Sequence, residues 1–145
     1  MGKKVKVENS LSTIMGTSSR LLNNKISKNM GKYHVTVEQW VILASLWRHD
    51  GQSQQTLANM VSKNKASITH LIDNLEKRKL VSRKADPNDR RNKRVYLTEE
   101  GKSLQEELVK VVKETTREAT HDIDKKDLKS AKKVMKKMID RLSLD

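Results

Sequence analysis

The sequence predicts a mainly α fold carrying one small β-hairpin, and three observations predict it. Apolar residues recur at three- and four-residue steps over most of the chain, which is the helical period. Two short helical stretches are separated by a break of three or four residues. The only Pro of the chain sits in an Asp86-Pro-Asn-Asp89 turn, and Asp, Asn and Pro are turn formers. The arm that follows, residues 90–98, alternates in polarity like a strand with one buried face.

Each element has its own justification. Residues 9–30 form an amphipathic helix, because Leu11, Ile14, Met15, Ser18, Leu21, Leu22 and Ile26 fall on one stripe. Gly31 fits a C-terminal stop. Thr36-Val-Glu-Gln39 is a capping box that starts a second helix, with Trp40, Leu43, Ala44 and Trp47 on its inner face. His49-Asp-Gly51-Gln is a turn. Ser53 caps a short helix, roughly 53–62, with Leu57, Ala58 and Val61 inward. Ser62-Lys-Asn64-Lys is a tight break, and Asn64 is placed to cap the next helix. That helix, roughly 65–79, turns Ile68, Leu71, Ile72 and Leu75 inward. Two short helices so joined make the helix-turn-helix pattern. Residues 81–85 and 90–98 are the arms of a two-stranded hairpin, with Val95 and Leu97 on one face and Arg94 and Tyr96 on the other. Thr98 caps a further helix, with Glu99 and Glu100 at its positive end. Its stripe is Leu104, Leu108, Val111, Val112 and Thr115. Residues 122–126 break it, and a last helix carries Leu128, Ala131, Met135, Met138, Ile139 and Leu142.

Composition narrows the function. The 145 residues hold 31 Lys+Arg against 18 Asp+Glu, a formal charge of +13. Nine basic and two acidic groups fall within residues 77–94 alone, a local patch that implies a polyanionic partner. Hydrophobic residues are 34% and aromatics 3%, thin for a self-sufficient monomer, so a second copy is expected to complete the core. There is no Cys, which excludes disulfides, thiolate zinc sites and thiol redox switches. No apolar run approaches the ~18 residues of a membrane span. The start, Met1-Gly-Lys-Lys-Val-Lys-Val, has no apolar stretch behind its charges and does not read as a secretory signal. The expected setting is cytoplasmic.

The strongest constellation is the helix-turn-helix followed by the basic hairpin. A recognition helix must expose short polar or basic side chains to reach base edges. The outward positions here are Lys65, Ala66, Ser67, Thr69, His70 and Asp73 or Asn74. Ser and Thr can bond a base edge, a Thr methyl can touch the thymine methyl, and Lys65 suits phosphate or guanine. The hairpin adds Lys84, Arg90, Arg91, Lys93 and Arg94, and Arg fits the narrow, negative minor groove of A·T-rich DNA. The four His residues make no metal cluster by spacing, so no metal or other cofactor is expected. No Gly-rich phosphate loop, zinc-protease pair or nucleophile elbow is present, so no enzyme is expected.

These residues carry a resemblance. Asp89-x-Arg91, five residues, then Leu97-Thr98-x-x-Gly101 resembles the wing signature of the MarR family of winged helix-turn-helix regulators. Thr36-Val-Glu-Gln-Trp40-x-x-Leu43 is similar to the family's second helix. Leu71-Ile-Asp-Asn-Leu-Glu-Lys-Arg78 is similar to the end of its recognition helix. The resemblance runs from about residue 9 to 142. It departs at Lys79, where the family usually has Gly.

The resemblance implies a winged helix-turn-helix with N- and C-terminal dimerisation helices. The whole chain, 1–145, would be one such domain: 9–35 and 103–145 for dimerisation, 36–102 for DNA. It implies a homodimer, with Arg91 entering the minor groove and Asp89 orienting it. It also implies a small aromatic or lipophilic effector, for which Met15, Arg20, Tyr33, His34, Trp40 and Trp47 are the pocket candidates. Rings can stack on an aromatic ligand and Arg20 can pair with a carboxylate. The expected function is a sequence-specific regulator of double-stranded DNA, a repressor acting on a pseudo-palindromic operator. The first alternative is a non-specific architectural nucleic-acid-binding protein, and the second is a protein-interaction module without DNA binding.

Overall fold

The computed structural model describes residues 7–61 and 65–144. A 3-10 turn, Val7–Asn9, leads into α1 (Leu11–Asn29), and a second, Gly31–Tyr33, leads to α2 (Val37–Arg48). Then come β1 (Gln52–Ser53), α3 (Gln54–Met60), α4 (Lys65–Lys77), β2 (Val81–Asp86) and β3 (Asp89–Leu97). The chain ends with α5 (Glu99–Ser103), α6 (Gln105–Thr120) and α7 (Lys125–Leu142). Two compact units divide it, Met1–Thr115 and Thr116–Asp145. The proposed break at residues 62–64, with Asn64 as a cap, lies outside the described residues.

The helix starts follow from side chains that accept otherwise orphaned backbone N–H groups. Ser10 takes the amide of Thr13, Ser53 that of Thr56, and Thr98 that of Gly101. At α2 the capping box is complete in both directions, with Thr36 and Gln39 exchanging bonds of 3.1 Å. The end of α1 differs from expectation. Met30, fully buried, closes it by donating to the Ile26 carbonyl, and positive φ falls on His34 (54°), not on Gly31.

Two further differences have physical causes. The expected single helix after Thr98 is interrupted at Leu104. There the Ser103 hydroxyl takes the Glu100 carbonyl at 2.8 Å, and the Leu104 N–H reaches that same carbonyl only at 3.3 Å. The expected two-stranded hairpin gains a third strand, in the order β1-β3-β2. Gln52 pairs with Val95 and Ser53 with Arg94. Gly51 makes this possible: its φ is +75°, and a Cβ there would lie 2.7 Å from the Tyr96 ring.

The core of the first unit is built from Ile42, Leu43 and Leu46 of α2, Leu57 of α3, Ile68, Ile72 and Leu75 of α4, Val81, Val95 and Leu108, all buried. The helical stripes at the two ends of the chain behave differently. On α1 only Ile26 is buried, while Leu11 and Ile14 are more than half exposed. On α7 no residue is buried, and Ile139 and Leu142 are 63% and 65% exposed. Each of these apolar faces is present as the period predicts but lies open in the single chain.

The recognition-helix candidate α4 ends in a complete Schellman motif. The Lys79 N–H donates to the Glu76 carbonyl and the Leu80 N–H to the Leu75 carbonyl, with Leu75 and Leu80 both buried. The residue between must be left-handed, and it is Lys79, at φ 59°. A Cβ in this region costs roughly 1 kcal/mol or more. Lys79→Gly is therefore expected to raise stability by about 0.5–1 kcal/mol, read as a higher urea midpoint at unchanged slope. A lower midpoint would mean that the lysine stem contributes packing that outweighs the backbone strain.

Candidate nucleic-acid interface

Helix α4 is fixed by its buried face, Ile68, Ile72 and Leu75, and by one ionic latch. Arg83 of β2 reaches Asp73 and Glu76 on α4, and its backbone N–H donates to Glu76 Oε2 at 3.0 Å. The Arg83 side chain is mostly buried, so the latch ties the hairpin to the helix in a partly desolvated place. Of the outward residues, His70 is exposed and Ser67, Thr69 and Asn74 are half-buried. The Lys65 and Ala66 side chains lie outside the described residues. Asp73 is committed to Arg83. Gln54, the first residue of α3, donates from Nε2 to Thr69 Oγ1 at 2.8 Å.

The hairpin tip is shaped by two carboxylates. Asp86 Oδ1 accepts the Asn88 amide at 2.9 Å, closing the turn around Pro87. Asp89 Oδ1 accepts the backbone N–H of Arg91 at 3.0 Å, and its Oδ2 accepts Asn92 Nδ2 at 3.1 Å. Asp89 thus acts on the backbone that carries Arg91. Arg90, Arg91 and Lys93 are exposed. Lys84 is exposed too, with its ammonium 5.2 Å from the Tyr96 ring centroid. Arg94 is different. Its Nε donates to Asp86 Oδ2 at 3.0 Å and its Nη1 to the Gly51 carbonyl at 2.9 Å, so it ties the tip turn to the loop before β1.

A cleft of about 210 Å³ runs between the helix-turn-helix and the hairpin. It brings Thr69 together with Arg91 and Lys93, and adds Gln54, Gln55 and Arg83, which sequence reasoning missed. The signal was available for the two glutamines, which directly follow the Ser53 cap and so begin a helix. Arg83 carried no such signal, since its partners lie on another element. Ser67, His70, Asn74, Lys84 and Arg90 do not line this cleft.

The effector candidates are scattered. Trp40 and Trp47 meet edge-on, ring centroids 5.6 Å apart, both half-buried against the core. The Trp47 Nε1–H donates to the Gly101 carbonyl at 2.9 Å. Tyr33 and His34 offer their backbone carbonyls to the Arg78 guanidinium. Arg20 is exposed on α1 and Met15 is half-buried. A wider cleft of about 590 Å³ is lined by α1, α2 and α3 residues such as Ser19, Asn23, Val41 and Met60, and none of the six candidates lines it. Among the described residues no group of three side chains could hold a metal, and no helix is long and apolar enough to cross a membrane.

The carboxylates that hold the hairpin are acid-sensitive. The Asn88 amide, against some desolvation and with help from Arg94, holds Asp86 below its ordinary 3.8. The Arg83 guanidinium does the same for Glu76, below its ordinary 4.5. A depressed folded-state pKa stabilises above the ordinary value, and that contribution is lost as pH falls through the depressed one. The thermal midpoint is expected to drop between about pH 5 and about pH 3, and to drop less in an Asp86→Asn/Glu76→Gln variant. An equal drop in both would place the acid sensitivity elsewhere.

The family model described as MarR matches residues 35–93, the stretch from the start of α2 into the hairpin. A solved MarR transcriptional regulator from Methanosarcina mazei Go1 superimposes with a TM-score of 0.82 at 26% identity, covering 91% of this chain and 99% of its own. Over residues 35–93 the chain matches the MarR family of transcription regulators, and its fold is the winged helix of that family's solved members. Another MarR-type relative is the organic hydroperoxide resistance transcriptional regulator of Bacillus subtilis (strain 168), 26% identical over 74% of this chain and 73% of its own. The Staphylococcus aureus MepR–DNA complex shares the fold, with a TM-score of 0.79 at 24% identity over 91% of this chain and 98% of its own.

Proposed function

We propose that this MarR-family regulator is a sequence-specific repressor of double-stranded DNA. It acts as a homodimer on a pseudo-palindromic operator in the cytoplasm. The observation that carries the reading is the cleft where Thr69 of α4 faces the exposed Arg91 and Lys93 of the hairpin. One wall offers uncharged polar groups, suited to base edges, and the other offers cations, suited to phosphates and a narrow minor groove. Residues 36–102 are assigned to DNA. The open apolar faces of α1 and α7, within 9–35 and 103–145, are assigned to a second copy, since each exposed Ile or Leu gains roughly 1.5–3 kcal/mol on burial. The MepR complex with DNA supports the DNA assignment.

Release by a small aromatic or lipophilic effector is the second part of the proposal. The half-buried Trp40–Trp47 pair supports it, with Arg20 as a cation for an acid. A thiol-based readout of hydroperoxides is closed to this chain, which has no Cys. An effector would favour a dimer whose recognition helices no longer match the ~34 Å half-site spacing.

The test is fluorescence anisotropy on the DNA upstream of the protein's own gene beside random DNA, over a salt series, with sedimentation to set the assembly. Preference by ~10³ or more, from a species of twice the monomer mass, is the expected result. Equal, steeply salt-dependent binding to every duplex would turn the reading to the architectural alternative.

A further inference from the structure

The bond between Gln54 and Thr69 decides what Thr69 can offer a partner. The two residues lie on different helices of the helix-turn-helix, and the Gln54 Nε2–H donates to Thr69 Oγ1 at 2.8 Å. The Oε1 of the same amide is buried and, among the described residues, is the one buried side-chain oxygen or nitrogen left without a partner. An orphaned acceptor is unfavourable, so the fold tolerates a cost to keep this amide turned toward Thr69. Accepting this bond holds the Thr69 oxygen toward α3. The γ-methyl, the other branch of Cβ, is thereby held away from Gln54. Thr69 is half-buried and lines the cleft that Arg91 and Lys93 also line, the place where a base edge would pass under the proposed function.

We infer that Thr69 reads a thymine through its γ-methyl group, and that Gln54 is the positioning residue that holds its hydroxyl away. This rests on the proposed function, in which α4 enters the major groove. The distinction matters chemically. A free hydroxyl both donates and accepts, and so bonds the edges of several bases. A methyl has one counterpart in the major groove of unmodified DNA, the thymine C5-methyl. The Gln54–Thr69 pair therefore converts a permissive contact into a selective one, at one base pair in each half-site.

The test begins with a duplex enriched by the protein from a random pool. Each thymine of that duplex is replaced in turn by uracil, which removes only the C5-methyl. In the wild-type protein one thymine per half-site should stand out, with about a fourfold weaker affinity for uracil, the equivalent of about 0.8 kcal/mol for one buried methyl. Thr69→Ser keeps the hydroxyl and loses the methyl, and should erase that preference. Thr69→Val keeps a methyl and should retain it. Gln54→Leu should lower the thymine-to-uracil ratio more than it lowers affinity for random duplex. The double variant Gln54→Leu/Thr69→Val, with no hydroxyl left to hold, should restore the ratio.

Thermal melts with Trp fluorescence confirm that each variant is folded. Indifference of the wild type to uracil at every position overturns the inference, while leaving an enriched operator and hence the regulator reading intact. Retention of the preference in Thr69→Ser with loss in Thr69→Val makes the hydroxyl the reader and overturns it as well. An unchanged ratio in Gln54→Leu removes Gln54 from the mechanism. Failure to enrich any duplex overturns the regulator reading itself and the inference with it.

Discussion

Gly101→Ala is expected to destabilise the protein by roughly 3 kcal/mol, lowering its thermal midpoint by about 10 °C. Gly101 lies in α5 and is buried, and a Cβ built there would stand 2.1 Å from the Leu80 carbonyl oxygen. That oxygen belongs to backbone and cannot swing aside. It also accepts the Thr98 N–H at 3.1 Å, and the Thr98 hydroxyl in turn donates to the Lys79 carbonyl. Three elements therefore converge on one point: the end of α4, the end of β3 and the start of α5. The glycine lets their backbones touch, and its own carbonyl receives the Trp47 indole N–H. Forcing them apart should lengthen that indole bond, so the Trp fluorescence of the folded state should change along with the melting point. A loss under 1 kcal/mol with unchanged Trp emission would mean that the junction yields more easily than its backbone contacts imply.

Gly101 also illustrates how much the sequence makes legible. The Leu97-Thr98-x-x-Gly101 stretch carried a resemblance, but the reason for its glycine lies in a carbonyl twenty-one residues away, which no local pattern reveals. The helix starts at Thr36, Ser53 and Thr98 were readable because a cap is a local bargain between a side chain and amides two or three residues on. The inward stripes of α3 and α4 were readable because their periodicity and their burial coincide within one unit, whereas on α2 the stripe read as Trp40, Leu43, Ala44 and Trp47 holds only Leu43 of the buried apolar residues Ile42, Leu43 and Leu46. The stripes of α1 and α7 were equally readable as stripes, yet they stay open, because periodicity says which residues share a face and not what covers it. The strand β1 was not readable, since two residues have no period, and it exists only because Gly51 brings Gln52 against Val95.

The candidate interface divides along the same line. Arg90, Arg91 and Lys93 are exposed near the hairpin tip, although alternation along β3 gives Arg91 and Lys93 the phase of the buried Val95 and Leu97. Arg94 belongs to the same run of charge, but β3 turns it toward Asp86 and Gly51, and it holds the hairpin's shape. Charge counts do not separate a cation that is offered from one that is spent. Asp73 is the acidic counterpart: its helical phase points outward, and Arg83 from β2 takes it. Assigning such residues requires knowing which distant element arrives beside them.

Arg91→Ala is expected to weaken operator binding by roughly 10- to 100-fold, about 1–3 kcal/mol, with the melting point and the assembly unchanged. Arg91 is exposed at the tip, and its side chain supports nothing in the core, so the loss should be confined to DNA. The loss should be largest on operators whose flanks are A·T-rich, where the narrow minor groove concentrates negative potential. Arg91→Lys should recover part of the affinity and little of that flank preference, because an ammonium is more strongly hydrated than a guanidinium. Asp89 separates position from charge. It holds the Arg91 amide and the Asn92 side chain through its two oxygens. Asp89→Ala should therefore weaken binding although it removes a negative charge that repels DNA, and Asp89→Asn, which keeps an acceptor oxygen, should restore most of it. If Asp89→Ala instead tightens binding, net charge governs the tip and its turn geometry does not. If Arg91→Ala leaves operator affinity unchanged, the hairpin tip takes no part in recognition, and the burden falls on α4 alone.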